Sequence, residues 1–295
     1  MIKMNLFKKI THLLALVCLG TGSVYSQAPK ESILYQISGN GIKNSSYILG
    51  TIHVYCDSAL KSNTVLGKCV GSTEYFVSEI NLGDYDELVA MMKASMLPNK
   101  VKISELTNAK EYALIDSVCQ ALLDVSVKDI DSKSPMNLMA ALFTSKSILG
   151  CSEIQSVEAQ VLPMALGSGL QTFGLETYAF QDSLLKSIPD SIQIQWLLEF
   201  CKNMDAAKKE MNQMQTLYKL GKMNELYQLV TNSNEMKMYR KALIDDRNES
   251  WINFLSDNLK TTSIFMAVGI GHLGGENGVL NGLKKAGYTV TPVKL

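Results

Sequence analysis

Short apolar runs alternate with longer amphipathic stretches along this chain. Residues 33–38 and 47–54 are two apolar, β-branched runs on either side of Asn40-Gly41, a dipeptide that favours chain reversal, and they predict a β-hairpin. The connection is longer than a two-residue turn, so the pattern leaves the register open. Four more runs, 75–80, 171–176, 263–268 and 288–293, have the same strand-like character, and Pro292 marks the last as a strand end or an edge. Between them the period changes. Asp84 is placed to cap a helix over 85–96, and Thr107 or Asn108 to start one with Leu114, Val118, Ala121 and Leu122 on one face. Residues 191–259 are helical almost throughout, with breaks expected at Gly221 and Asn232, and 278–286 form a last helix that Gly287 ends. Strands alternating with helices predict an α/β or α+β fold, a central sheet covered by helices. With no repeat, low-complexity tract or Pro-rich linker, 27–295 is expected to be one domain with a helical insertion.

The first residues stand apart from this pattern. Lys3, Lys8 and Lys9 precede the apolar run 13–19, and small residues follow at Ser23 and Ser26, which is the form of a secretory signal peptide over residues 1–26. The run is too short to span a bilayer, and no later segment qualifies, so the expectation is an exported protein, periplasmic or secreted, without a membrane-spanning helix in its mature form. Of 295 residues 46% are hydrophobic, and 28 basic side chains balance 28 acidic ones. Losing the three lysines leaves a net charge of −3, which offers nothing to nucleic acid or anionic lipid. Five cysteines remain after residue 26: Cys56, Cys69, Cys119, Cys151 and Cys201. Their spacing matches no CxxC metal site, and the odd count leaves at least one thiol free. The simplest expectation is buried, inert thiols, with Cys56–Cys69 a conceivable pair in an oxidising compartment.

Histidine is scarce, and His53 and His272 are the two that follow residue 26. Both end the same local pattern, Gly50-Thr51-Ile52-His53 and Gly269-Ile270-Gly271-His272, at the end of an apolar run. Glycine there is expected to let the backbone turn sharply and approach a ligand, so that the imidazole projects from the carboxyl end of the strand, the edge where open α/β sheets bind ligands. Glu79 and Glu176 also sit at the ends of apolar runs. If the four strands run parallel, His, Glu, Glu and His face one edge. Two neutral imidazoles with one or two carboxylates suit a divalent ion that acidifies a bound water. Without a metal, the same groups suit general acid and base work. Arg247 lies on the apolar face of a predicted helix with Leu243, Ile244 and Trp251. It either pairs inward with a carboxylate, a role whose fork of donors suits a substrate carboxylate or oxyanion, or runs its stem along the core to water. Gly274-Gly275-Glu276-Asn277-Gly278 is either a mobile substrate loop or an ordinary Gly-rich turn.

As a set, residues 47–53 (Tyr-Ile-Leu-Gly-Thr-Ile-His), Val77-Ser78-Glu79, Gly174-Leu175-Glu176-Thr177 and residues 268–278 from Val268 to Gly278 resemble the TraB/PrgY/GumN family, which includes the Tiki proteases. The resemblance implies a fold akin to the erythromycin esterase and ChaN group, with a central mixed sheet and the paired motifs meeting in one cleft. It implies a metal-dependent peptidase using manganese or cobalt, with His53, His272 and Glu79 at the metal, Glu79 as ligand or general base, and Arg247 holding a carboxylate. Glu176 is a further catalytic candidate. One departure is Ser156-Val157-Glu158, where a Gly-Leu-Asp-like segment is expected. The leading expectation is therefore an exported metal-dependent hydrolase acting on a peptide or small-molecule substrate. Its rivals are a non-catalytic protein that binds a peptide or small ligand in the same cleft, and a metal-free esterase with a histidine base.

Overall fold

A computed structural model of the chain describes residues 30–151 and 153–295. The expected signal peptide lies outside the described residues. Six strands form one sheet: β1 (Leu34–Gly39), β2 (Ser46–Thr51), β3 (Tyr75–Ile80), β4 (Gln171–Glu176), β5 (Ile264–Gly269) and β6 (Tyr288–Val293), in the order β4-β3-β5-β2-β1-β6. β4, β3, β5 and β2 run parallel, while β1 is antiparallel to both β2 and β6. The sheet is therefore mixed, and the expected 33–54 hairpin forms, with Leu34 opposite Leu49. Pro292 sits on the edge strand β6, where a missing N–H costs no ladder bond to an outer neighbour.

β5 is central and its residues 264–268 are all buried, as a strand covered on both faces should be. Phe265 stacks on Phe76 of β3 at 6.1 Å between ring centroids. Helices cover the faces: α1 (Thr64–Gly71), α2 (Tyr85–Met96), α3 (Ala109–Leu123), α4 (Pro135–Phe143), α5 (Val157–Gly167), α6 (Tyr178–Lys186), α7 (Asp190–Lys202), α8 (Met204–Lys219) and α9 (Met223–Thr231). A long helix α10 follows, made of Asn234–Arg240, a π-helical turn at Lys241–Asp245, and Asp246–Asn258; α11 (Val279–Lys285) precedes β6. None of the helices among the described residues is long and apolar enough to cross a membrane.

Residues between β3 and β4 carry the helical insertion. Its α3 and α4 build a second core together with α7, which follows β4: Ile115, Val118 and Cys119 of α3, Leu138 and Leu142 of α4 and Leu197 of α7 belong to one buried cluster. The Asn108 side chain and Glu111 form the reciprocal cap that starts α3. The α3 face differs from the expected one: Ala121 is exposed and the buried stripe is centred one residue later than Leu114, because α4 and α7 both pack on that side.

The disulfide also departs from expectation. Cys56 pairs with Cys151, not Cys69, tying the loop after β2 to the end of the insertion, and Cys69, Cys119 and Cys201 are buried free thiols. Reducing this bond, or replacing both cysteines with serine, should cost about 2–4 kcal/mol of unfolding free energy in a denaturant titration. The other three thiols should stay unreactive to a thiol reagent until the chain unfolds.

Candidate functional site

The four parallel strands bring the predicted residues to one edge. β2 and β5 are adjacent, with Gly50 beside Val268 and Thr51 beside Gly269, so the two GxxH segments lie side by side. Neither Gly50 nor Gly269 has a positive φ, so no left-handed turn calls for them. A Cβ at Gly50 would come within 2.2 Å of Ile270 Cδ1, and one at Gly269 within 3.1 Å of Glu79 Oε1. Each glycine thus makes room for its neighbouring strand's contribution to the site.

Arg247 organises the interior of that edge. The π-helical turn at 241–245 shifts the helix phase just before it, and the guanidinium points in, 10% exposed. Nε donates to both oxygens of Glu176 at 2.9 and 3.1 Å, and Nη2 donates to Glu79 Oε2 at 2.7 Å and Glu176 Oε2 at 2.8 Å. Nη1 donates to the Leu243 carbonyl at 2.9 Å and lies 3.1 Å from His272 Nε2. All five guanidinium N–H groups are spoken for. The inward-pairing reading of Arg247 is therefore the right one, but its partners are Glu79 and Glu176, leaving no donor for a substrate carboxylate.

The carboxylates are equally well held. Glu79 Oε1 accepts from the Gly269 N–H at 2.8 Å, and Glu176 Oε1 accepts from Trp251 Nε1 at 3.0 Å. Gln181 of α6 donates to Glu79 and Glu176 at 3.1 and 3.0 Å. Burial alone would raise the Glu79 pKa, but the cationic surroundings, His272 when protonated, Arg247 and His53, with the Gly269 N–H, bring it well below the usual carboxylate range. His272 is pushed the other way, to about 4, by burial first, with Arg247 opposing its protonation and Glu79 favouring it. It is neutral at pH 7, so Arg247 and the protonated His53 are the cations that keep Glu79 ionised there. Asn248 Nδ2 donates to the Asn277 carbonyl, which turns Asn248 Oδ1 toward His272 Nδ1 at 2.7 Å. The assigned tautomer is therefore Nδ1–H, with the Nε2 lone pair facing Arg247.

His53 is in a different setting. It follows the end of β2, and its side chain is 74% exposed while Nδ1 lies 3.3 Å from Glu158 Oε1. Glu158 is in the first turn of α5, where the helix N-terminus favours a negative charge. Thr51 Oγ1 donates to Glu158 Oε1 at 2.5 Å, whereas Glu158 Oε2 is buried with no hydrogen-bond partner. The His53–Glu158 hydrogen bond raises the imidazole pKa, to about 9. The disulfide, the Tyr55–Gln155 bridge and the Val157 N–H bond to the Ile52 carbonyl sew these two segments together.

Residues 33–292 match the TraB/PrgY/gumN family. The chain belongs to this family. No curated protein and no solved structure matches it.

Four of the five residues singled out for the TraB/PrgY/gumN site thus meet directly: Glu79, Glu176, Arg247 and His272. His53 stands at the rim, with Glu158 as its partner. Asn248, Trp251 and Gln181 were not singled out, although a polar Asn248 at helical spacing with Trp251 and Leu255, buried on an apolar face, was a usable signal. The Gly-rich run packs its Gly274 and Gly275 on Tyr227, where a Cβ would lie 2.6 Å from a ring carbon at either position, and Gly275 also has φ +80°, so close packing and a left-handed backbone explain those glycines.

The arrangement does not fit the metal site that the family resemblance implies. His272 Nε2 and Glu79 Oε1 are 4.0 Å apart, but the guanidinium already lies against both residues, and the ion pair of His53 is with Glu158. Among the described residues, no group of three or more His, Cys, Asp or Glu side chains is disposed to hold a metal. The position between the two glutamates and His272 is filled by a fixed side-chain cation.

The cluster has a pH signature. His272 binds its proton more weakly folded than unfolded, so its contribution, roughly 3 kcal/mol, is present above pH 6.5 and lost as pH falls toward 4. Glu79, with its depressed pKa, loses its contribution below the ordinary carboxylate range. Denaturation measured across pH should show stability falling from about pH 6.5 downward, and NMR titration should find one histidine near 4 and one near 9. Arg247→Met should cost about 3–5 kcal/mol, because it strands two buried carboxylates.

Proposed function

We propose that this chain is an exported hydrolase of peptide or ester bonds, with His53 as its proton-transfer group. The observation that carries the reading is the pairing of an exposed imidazole with a buried carboxylate, His53 on Glu158, at the rim of the strand edge. This is the geometry of a histidine oriented by a carboxylate for acid–base work. The Cys56–Cys151 disulfide supports export, because structural disulfides persist chiefly in oxidising compartments.

In this reading Glu158 engages Nδ1 and stabilises the imidazolium, which leaves Nε2 for the substrate. His53 is protonated at neutral pH. It gives the Nε2 proton to the departing nitrogen or oxygen and, once neutral, accepts at Nε2 the proton released by the water whose hydroxyl bonds to the acyl carbon, which restores the imidazolium. Glu79, Glu176 and Arg247 form the rigid floor beneath this step, fixing the strand ends and the local field. No step runs through a metal, because the donors as placed do not converge on one.

His53→Ala should lower kcat/KM by about 10²–10⁴-fold on any peptide or ester that the protein turns over. The profile should fall as pH rises through about 9, where His53 loses its proton, and Glu158→Gln should move that limb down toward 6.5. Turnover should survive exhaustive chelation. Full activity in His53→Ala would sink the assignment, and chelator-sensitive activity restored by manganese or cobalt would replace it with a metal-dependent mechanism.

A further inference from the structure

His53 stands on a seam between the two hydrophobic cores. Before it Ile52 is buried in the core of the sheet, and after it Val54 packs against the second core. The next two residues repeat the alternation, Tyr55 with the sheet and Cys56 with the second core. At the end of the insertion the chain crosses the same seam again. Leu149 lies in the second core, Cys151 and Ile154 pack against it, and Val157 and Val161 carry α5 into the sheet core. The two crossings are joined by the antiparallel Tyr55–Gln155 bridge, with backbone bonds of 3.0 and 3.1 Å, and by the Cys56–Cys151 disulfide.

Each crossing carries one member of the His53–Glu158 pair, and the two members are held differently. Glu158 is seated by Val157 and Val161 and accepts from Thr51 Oγ1. The His53 ring, 74% exposed, has little packed around it, so its direction is set by the backbone between Ile52 and Val54, one anchor in each core. The second anchor depends on the disulfide. A cross-link between residues 95 apart in sequence suppresses the loop entropy that opposes their pairing. Once it is broken, the backbone bridge and the apolar contacts of Val54 and Ile154 must oppose that entropy alone. Such a local opening costs less than global unfolding. Cys56 and Cys151 are both partly exposed, which lets an external thiolate reach the bond, whereas Cys69, Cys119 and Cys201 are buried and do not compete for it.

We propose that the Cys56–Cys151 disulfide is a redox latch on this site, whose reduction by a dithiol frees the His53 segment from the end of the insertion and turns the imidazole away from Glu158. One thiolate of the dithiol attacks a sulfur of the bond, and the other cysteine leaves as a thiolate; the second thiol of the dithiol then displaces the mixed disulfide. Two electrons and two protons pass to Cys56 and Cys151, and the reductant ends as a disulfide. The effect on turnover rests on the hydrolase reading, but the opening does not. The test compares amide hydrogen exchange and the His53 Nδ1 NMR resonance in the oxidised protein, in protein reduced with dithiothreitol, and after reoxidation, with mass spectrometry of alkylated thiols to identify the cysteines opened. On reduction the amides of Tyr55 and Gln155 should exchange at least tenfold faster while those of β5 keep their rates, and the His53 resonance should shift. Reoxidation should restore both. Cys56→Ser with Cys151→Ser should match the reduced protein and no longer respond to dithiothreitol. On any peptide or ester that the protein turns over, kcat/KM should fall at least tenfold on reduction. Unchanged exchange at Tyr55 and Gln155, or an unshifted His53 resonance, in protein reduced at both cysteines overturns the latch. Loss of protection through β5 overturns it too, because the bond is then a staple of the whole fold. Local opening with a shifted His53 resonance and unchanged turnover upholds the latch and overturns His53 as the proton-transfer group. The same opening in a protein that turns over no substrate upholds the latch and overturns the hydrolase.

Discussion

The interaction on which the site depends is the burial of one guanidinium between two carboxylates. Glu79 and Glu176 end neighbouring parallel strands, and two unpaired carboxylates at that depth would cost several kcal/mol or take up protons. Arg247 removes the penalty, with every N–H directed to a partner, and it rests on the Trp251 ring at 4.9 Å from the centroid. Its reach requires the π-helical turn before it, so an irregularity in a long helix is part of the same electrostatic solution. Strands β3 and β4, helix α10 and the segment after β5 are thereby locked at one point.

Two identical local patterns then acquire opposite chemistry. His272 and His53 each end a GxxH segment in adjacent parallel strands. His272 is closed in by Trp251, Asn248 and Arg247, and burial beside a cation keeps it neutral. His53 is open to solvent with a carboxylate behind it, and is held protonated. Pairs of titratable groups whose environments push their pKa values apart mark the places where acid and base roles divide. Here one histidine is a fixed part of the floor, and the other is free to exchange a proton with whatever approaches the rim.

The strands were the most legible part of the sequence. Residues 75–80 and 171–176 are short, apolar runs bounded by turn-forming residues, and both form strands with those limits. The common edge was legible only conditionally, since nothing local to His53, Glu79, Glu176 or His272 states that their strands run parallel. What escaped sequence reasoning depends on contacts made across long stretches of chain. The partner of Cys56 is 95 residues away, and Glu158 meets His53 only because that disulfide and the Tyr55–Gln155 bridge bring the far end of the insertion back to β2. The need for glycine at position 50 was hidden for a related reason: it comes from Ile270, a side chain just past the end of β5, and not from a turn in the local backbone.

The insertion accounts for the division between the inner and outer parts of the site. The strand ends, with Arg247 and His272, form a closed, self-satisfied cluster that has no spare donor for a ligand. Residues between β3 and β4 supply the carboxylate behind the open imidazole: Glu158 beside His53, and Cys151 that anchors its segment to the loop after β2. Val157 and Val161, which flank Glu158 on α5, pack into the core of the sheet, whereas α3 and α4 join α7 in the second core, so the Glu158 carboxylate is held by the same packed body as the strand ends. The charged floor and the carboxylate behind His53 are thereby fixed relative to one another, and the imidazole at the rim is the part left open to solvent.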